Sequence, residues 1–452
     1  MYRHDPEAGL LYREQMDRPL IIQKVPQSVR GGLEKRYFVP DVVSIGPYHH
    51  HSEEEKHLAE MEKVKETVAH EFCQHSALAV AVAGQASEAA TTVVARLMEA
   101  VTRILPDARG CYADARFGND KQLAYMMVVD GCFLLAVMAV LTRSYPEGLD
   151  HWWWTHGRML RIMKDILLFE NQIPWIVLRA FMALLQPVPV DAFVDRILDY
   201  FDIGVHNRRS DGAQPPPSHP PLEWERLNPV HLLDLVHQRH LGLGSRVPVP
   251  ADPIRYCDYA RPFAHFTSAV ELAEAGIHLH GSGTCRVTDV RVEPAMPAKA
   301  MFRLHLYIGR LVLPQLALSW LPRCWLINMV ALECVTDRFN HSGVSSYLAI
   351  LGSLVRAERD VEELRSRRIL FSTMSDRRTV EFFEGLLDPL PRQDLYLRTL
   401  DDIVQLRARR STRSNIHTVY YRNRSIIFAA APLLSLLVAI IGIAVTNSIK
   451  HK

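Results

Sequence analysis

The run IIFAAAPLLSLLVAIIGIAV, Ile426 to Val445, holds no charged residue and matches the roughly 20 apolar residues that a helix needs to cross a bilayer core. A buried helix of a soluble domain is usually shorter and keeps a polar stripe. Pro432 and Gly442 would weaken a soluble helix, whereas membrane spans tolerate both. The run therefore predicts a transmembrane helix over 425–446, marked by Ile426, Pro432, Leu437 and Val445, with a short tail over 447–452. Membrane lipid is the partner that such a span implies. The rest of the chain becomes a body tethered by its C-terminus.

Charge placement orients that body. Arg407, Arg409, Arg410, Arg413, Arg422 and Arg424 precede the run, and Lys450 and Lys452 follow it. The larger basic cluster belongs on the cytosolic side, so the body is expected in the cytosol, on the plasma membrane or an endomembrane. The first twenty residues mix charges with single apolar residues and lack the apolar core of a secretory signal. A net charge of only +2 argues against a general nucleic-acid binder. The seven cysteines are scattered and never spaced C-x-x-C, which predicts reduced thiols rather than a disulfide framework or zinc site.

The 452 residues are enough for one large or two ordinary domains. After a flexible 1–20, the chain divides into a helical half, 21–205, and an α+β half, 230–400, followed by a basic juxtamembrane segment, 401–424. Between the halves, 206–229 is rich in proline and reads as a linker or long surface loop. Proline and glycine break 21–48 into short extended pieces. Ser52 with Glu55 forms a capping box before a helix whose face is Leu58, Met61, Val64, Val68 and Phe72. A second helix covers Ala86 to Leu105. Leu123 to Leu141 is nearly all apolar around Asp130, and a central acid makes it a core helix rather than a second span. Helices follow over 158–169, from Asn171 through Pro174 to Leu185, and over 231–241, and Ser268 with Glu271 caps another. Alternation in 287–292 and 302–308 marks strands, with a hairpin turn at Gly309-Arg310. Helices return over 325–335 and 345–370, the latter pairing Glu363 with Arg367, and a last amphipathic helix carries Val380, Phe383 and Leu387. The fold class is mainly α, with a minor hairpin or small sheet in the C-terminal half and one C-terminal transmembrane helix.

Chemistry is sparse. His49, His50 and His51 are adjacent and do not converge on one metal ion, and His70 and His75 miss the i,i+4 spacing of paired zinc ligands. Gly281-Ser282-Gly283 has no strand-to-helix context, and no phosphate-binding glycine motif occurs. Asp165, Glu170, Asn171 and Gln172 form a polar knot between two apolar helices, where hydrogen bonding at a tight interhelical turn is the reading preferred over catalysis. Asn340 starts a glycosylation sequon that a cytosolic body leaves unmodified. Trp152, Trp153 and Trp154 are adjacent and cannot share one core, which makes them candidate partner contacts. No catalytic, cofactor or metal residue emerges, and no small-molecule substrate is evident.

Several strings in this order resemble a plant family named only as domain of unknown function 247. They are Val25-Pro26, VVSIGPYHH at 42–50 with Pro47, Met61-Glu62 and Lys65, and DGCFLL at 130–135. DILLFENQIPWIVL at 165–178 follows, holding Asp165, Glu170, Asn171, Gln172 and Pro174. ELAEAG at 271–276 ends on Gly276, and LVLP at 311–314 and NMVALE at 328–333 complete the set. The resemblance implies a plant protein with a largely helical body and a C-terminal span, and no enzymatic activity. Some grass members look like self-recognition determinants of pollen–stigma incompatibility. The family's Asn-Pro-Trp before the span is replaced here by Val419-Tyr420-Tyr421. The expected function is therefore non-enzymatic: membrane-anchored recognition or signalling through an unidentified protein partner, self-recognition included. The alternative is a tethered hydrolase or transferase using Asp165 and Glu170 or a cysteine.

Overall fold

The computed structural model describes residues 21–31, 33, 35–50, 57–80, 86–113, 117–144, 156–185, 187–202, 224–242, 268–294, 308–336, 342–387, 396–409 and 411–423, and isolated positions in 426–440. Three long helices form one slab: α1 (Ala59–Val80), α2 (Ala86–Gly110) and α3 (Asp120–Leu141), each packed on the other two. The apolar face expected on α1 is buried through Leu58, Met61, Val64, Val68 and Phe72. The Asn119 side chain caps α3 by accepting from the Lys121 amide, and the helix is buried from Leu123 to Ala139 apart from Tyr125. A helix apolar on every side has to be enclosed, and α3 is. It is the helix, among the described residues, long and apolar enough to cross a membrane, and the body surrounds it.

A shorter set follows: α4 (His156–Asp165), α5 (Trp175–Met182), α6 (Val190–Leu198) and α7 (Leu232–His240). Helix α5 lies against α2 and α3, and α6 against α3 and α7. Pro174 sits at the N-cap of α5, where its missing amide costs nothing. The C-terminal half begins with α8 (Ala269–Glu274), whose capping box forms as expected: the Glu271 amide donates to Ser268 Oγ and the Ser268 amide to Glu271 Oε2. Gly276, at φ +88°, turns the chain from α8 into β1 (Ile277–Gly281).

The expected hairpin is replaced by a mixed sheet. Gly309-Arg310 does not turn the chain but starts β3 (Gly309–Leu313), which pairs parallel with β1 and antiparallel with β2 (Arg291–Pro294) in the order β1-β3-β2. Alternation marks a strand without naming its partner, and the partner here comes from about thirty residues upstream. A second, two-stranded parallel sheet joins β4 (Leu316–Leu318) to β5 (Leu370–Ser372).

Helices α9 (Trp320–Thr336), α10 (Gly343–Leu354), α11 (Glu358–Ser366) and α12 (Asp376–Leu387) complete this half. The single helix expected over 345–370 breaks after Leu354, because the Asp360 carboxylate captures the amides of Arg356 and Ala357 and starts a new helix. Glu363 and Arg367 do pair, at 2.9 Å. Before the C-terminal apolar run the chain forms two helices, α13 (Leu397–Arg409) and α14 (Ser411–Arg422). Helix α13 lies on β2 and α14 on α8.

One hydrophobic core runs through both halves, from Ile22 to Ile403. Trp152, Trp153 and Trp154, the Ser52–Glu55 box, Asn340, Leu437 and Val445 lie outside the described residues, as do 203–223 of the proline-rich segment. Within the C-terminal apolar run, Ile426, Pro432, Leu436 and Ile440 are helical and exposed.

Candidate functional site

The polar residues of the resemblance strings meet around a strap, the described residues of 21–48, laid across the helical body and largely irregular apart from short helical turns at Gln27–Arg30 and Lys35–Tyr37. Extended chain without strand neighbours leaves its amides and carbonyls to be satisfied by other groups. Near its start the strap bridges Ile22 to Tyr112, the Ile22 amide donating to the Cys111 carbonyl at 2.7 Å. Beyond that, buried side chains take over.

The Asp165 carboxylate accepts the amides of Asp41, Val42 and Val43 at 2.7–3.0 Å. Asn171 accepts the Ile45 amide through Oδ1 and donates through Nδ2 to the carbonyls of Val43 and Asp165. Glu170 accepts the Val25 amide at 2.6 Å and pairs with Arg30 of the strap. Asp130 accepts the Gly46 amide at 2.8 Å. From the other side, Lys65 donates to the Ser44 carbonyl, Lys164 to Val39 and Asn328 to Tyr37. Gly46 has φ +76°, and a Cβ there would lie 2.3 Å from the Gln172 carbonyl oxygen, so only glycine fits where the strap crosses the knot. The knot therefore bonds a segment 120 to 145 residues away, and not only the local turn that spacing suggested.

Gln172 ties the same turn to α7. Its Oε1 accepts the Leu233 amide and its Nε2 donates to the carbonyls of Ile166 and Leu168. Burial pushes Asp165 up to about 7, against the pull of Lys164 and the three amides. Burial likewise pushes Asp130 up to about 6, opposed by Lys65, 2.6 Å away. An acid near neutrality is the usual mark of a catalytic group. Here, however, Asp165 is 0% exposed and Asp130 1% exposed, and their oxygens are engaged by backbone and lysine. No substrate atom reaches Asp165 without unseating the strap.

Three of the strings also converge at the surface. Pro47 and His50, Glu62 and Glu66, and Asp130 line a cleft of about 600 Å³ whose apolar wall includes Phe117, Leu123 and Met126. Glu62 lies 2.9 Å from Lys65 and 3.5 Å from His50, and Tyr125 on the rim donates to Glu66. Among the described residues no group of three or more His, Cys, Asp or Glu can hold a metal ion, and the six described cysteines are free thiols.

A second cluster mimics a hydrolase triad. Glu333 accepts from the amides of Val344 and Ser345, from Ser345 Oγ and, at 2.7 Å, faces His237 Nε2. The order is wrong for nucleophile activation, because the carboxylate and not the imidazole touches the serine. Glu333 caps α10.

Lys65, Lys164, Asn328 and Glu333 were not singled out as site residues from spacing. A signal existed for Lys65, which follows Met61 by four and precedes Val68 by three on an otherwise apolar helix face.

No solved structure matches the chain. It is similar to the UPF0481 protein At3g47200 of Arabidopsis thaliana, 25% identical over 405 residues, which cover 84% of this chain and 75% of that protein. The model of the DUF247 family, described as "Plant protein of unknown function", matches residues 22–443. The residues that clasp the strap thus lie within that match, and the chain belongs to the DUF247 family of plant proteins.

Proposed function

We propose that this protein is a membrane-anchored, non-enzymatic recognition protein, held by the run 426–445 with its body in the cytosol, and that the cleft between the strap and α3 receives a protein partner. One observation carries the non-enzymatic half: Asp165, Glu170 and Asn171 are buried, and each accepts backbone amides of the strap. The cleft is where family strings meet solvent, with an aromatic rim and both charge signs, features that suit a protein partner. The anchor is supported by the uncharged length of 426–445 and by the exposure of Ile426, Pro432, Leu436 and Ile440.

The test places a photo-crosslinking residue at Gln122 on the cleft rim of the full-length chain in membranes, with Arg377 as an exposed control. A discrete adduct from Gln122 alone, lost when Glu66 and Tyr125 are changed to alanine, is expected. Equal labelling at both sites would refute the cleft assignment, and substrate turnover lost in the same variant would refute the non-enzymatic reading. Self-recognition, the finer form of the proposal, rests on the family resemblance and predicts that the adduct joins two copies of this chain. Glycan attached at Asn340 would overturn the cytosolic placement.

A further inference from the structure

Helix α14 has two unlike faces. Ser414 and His417 are buried against α8, where His417 Nδ1 lies 2.7 Å from the Glu274 carbonyl oxygen and Thr418 donates to the same oxygen. Arg422 reaches Glu274 from the flank at 2.9 Å. At 100° per residue the opposite side carries Ile416 and Val419, which are 49% and 63% exposed. Exposed about one turn apart, Ile416 and Val419 make a small apolar face on the helix.

We propose that this outer face of α14 lies in the interfacial layer of an anionic bilayer, seating the body against the membrane; the inference rests on the reading of 426–445 as a span. Two observations select lipid as the occupant. The apolar pair lies only seven residues before the uncharged run that begins at Ile426, itself exposed. The flanking charge is basic: Arg407 and Arg422 are exposed, and Arg409, Arg410, Arg413 and Arg424 stand beside them in sequence. Exposed apolar residues on a helix within an arginine-rich stretch of sequence suit the headgroup–acyl boundary of anionic lipid. Helix α14 is also pinned to α8, so its immersion fixes the orientation of the whole body.

The test is co-flotation of the full-length chain with phosphatidylcholine vesicles, with or without phosphatidylserine as the anionic lipid. The paired change Leu436→Arg and Leu437→Arg removes insertion. That variant is expected to float with phosphatidylserine vesicles, to remain behind with phosphatidylcholine alone, and to detach at high salt. Adding Ile416→Glu and Val419→Glu abolishes this flotation. Arg407→Gln with Arg422→Gln weakens it about 25-fold, near fivefold for each arginine. Arg377→Gln, on an exposed arginine of α12, leaves it unchanged. Failure of the span-disrupted chain to float on phosphatidylserine overturns the inference. Extraction of the unaltered chain by alkaline carbonate would instead refute the span. A dimer in solution that the Ile416/Val419 pair of changes dissolves would assign the face to a second copy and also overturn the inference.

Discussion

Lys65 Nζ lies 2.6 Å from Asp130 Oδ1, and neither side chain is more than 1% exposed. Burial pulls the Lys65 ammonium down, and the Asp130 and Glu62 carboxylates more than offset it, so its pKa stands above the ordinary value. Removing one member of such a pair strands the other. Lys65→Met is expected to cost about 3–5 kcal/mol. Combining it with Asp130→Asn costs less than the sum, because the double change leaves no charge of the Lys65–Asp130 pair stranded. Thermal unfolding of the four-member cycle measures the coupling, and additive losses would show the pair to be independent.

Asp165 holds three consecutive amides of the strap. Asp165→Ala should release residues 39–46 without first opening α3. Hydrogen exchange is expected to accelerate in that peptide while the amides of α3 keep their protection, with a stability loss of about 3 kcal/mol. Uniform acceleration across both would mean that the strap and the slab unfold as one unit.

His231 caps α7 by accepting the Asp234 amide at Nδ1, a role open only to the neutral ring. Burial lowers its pKa to about 4 from 6.5. The unfolded chain takes up a proton as pH falls below about 6.5 and the fold refuses it until about 4. The stability present above 6.5 is therefore lost between those values, on the order of 3 kcal/mol. His231→Asn keeps a cap acceptor and removes the titration. Its unfolding midpoint should fall less steeply with pH across this window than that of the unaltered chain.

Gly131 on α3 admits Phe181 of α5 so closely that a Cβ would lie 2.5 Å from the ring. Gly131→Ala is expected to destabilise by about 1–3 kcal/mol through overpacking. Phe181→Leu in the same chain should recover part of that loss, and denaturant midpoints decide it. No recovery would mean that the backbone of α3, rather than the ring, resists the methyl group.

Sequence patterns exposed the parts of this fold whose physics is local. The apolar run around Asp130 announced an enclosed helix, and Ser268 with Glu271 announced a cap that forms atom for atom. The strap was hidden because it bonds through its own backbone amides, which leave no trace in residue identity, to side chains such as Asp165 more than 120 residues away. The parallel pairing of Ile277–Gly281 with Gly309–Leu313 was hidden for the same reason of distance. At 355–357 the helix break has no proline or glycine to mark it, and only the reach of Asp360 back to two amides explains it. The cleft escaped notice because Pro47, Glu62 and Asp130 are brought together by α1 and α3 rather than by spacing.

The strap also sets an order of events during synthesis. Its amides at 41–46 leave the ribosome before the residues that satisfy most of them, Asp165 and Asn171, have been translated. At about 5–20 residues per second the nascent strap waits roughly 6 to 24 seconds for Asp165. Through that interval Val42, Val43 and Ile45 are presented unpaired, a template for any strand or chaperone within reach. A slowly translated stretch between α3 and α4 would prolong that vulnerability, and a fast one would shorten it.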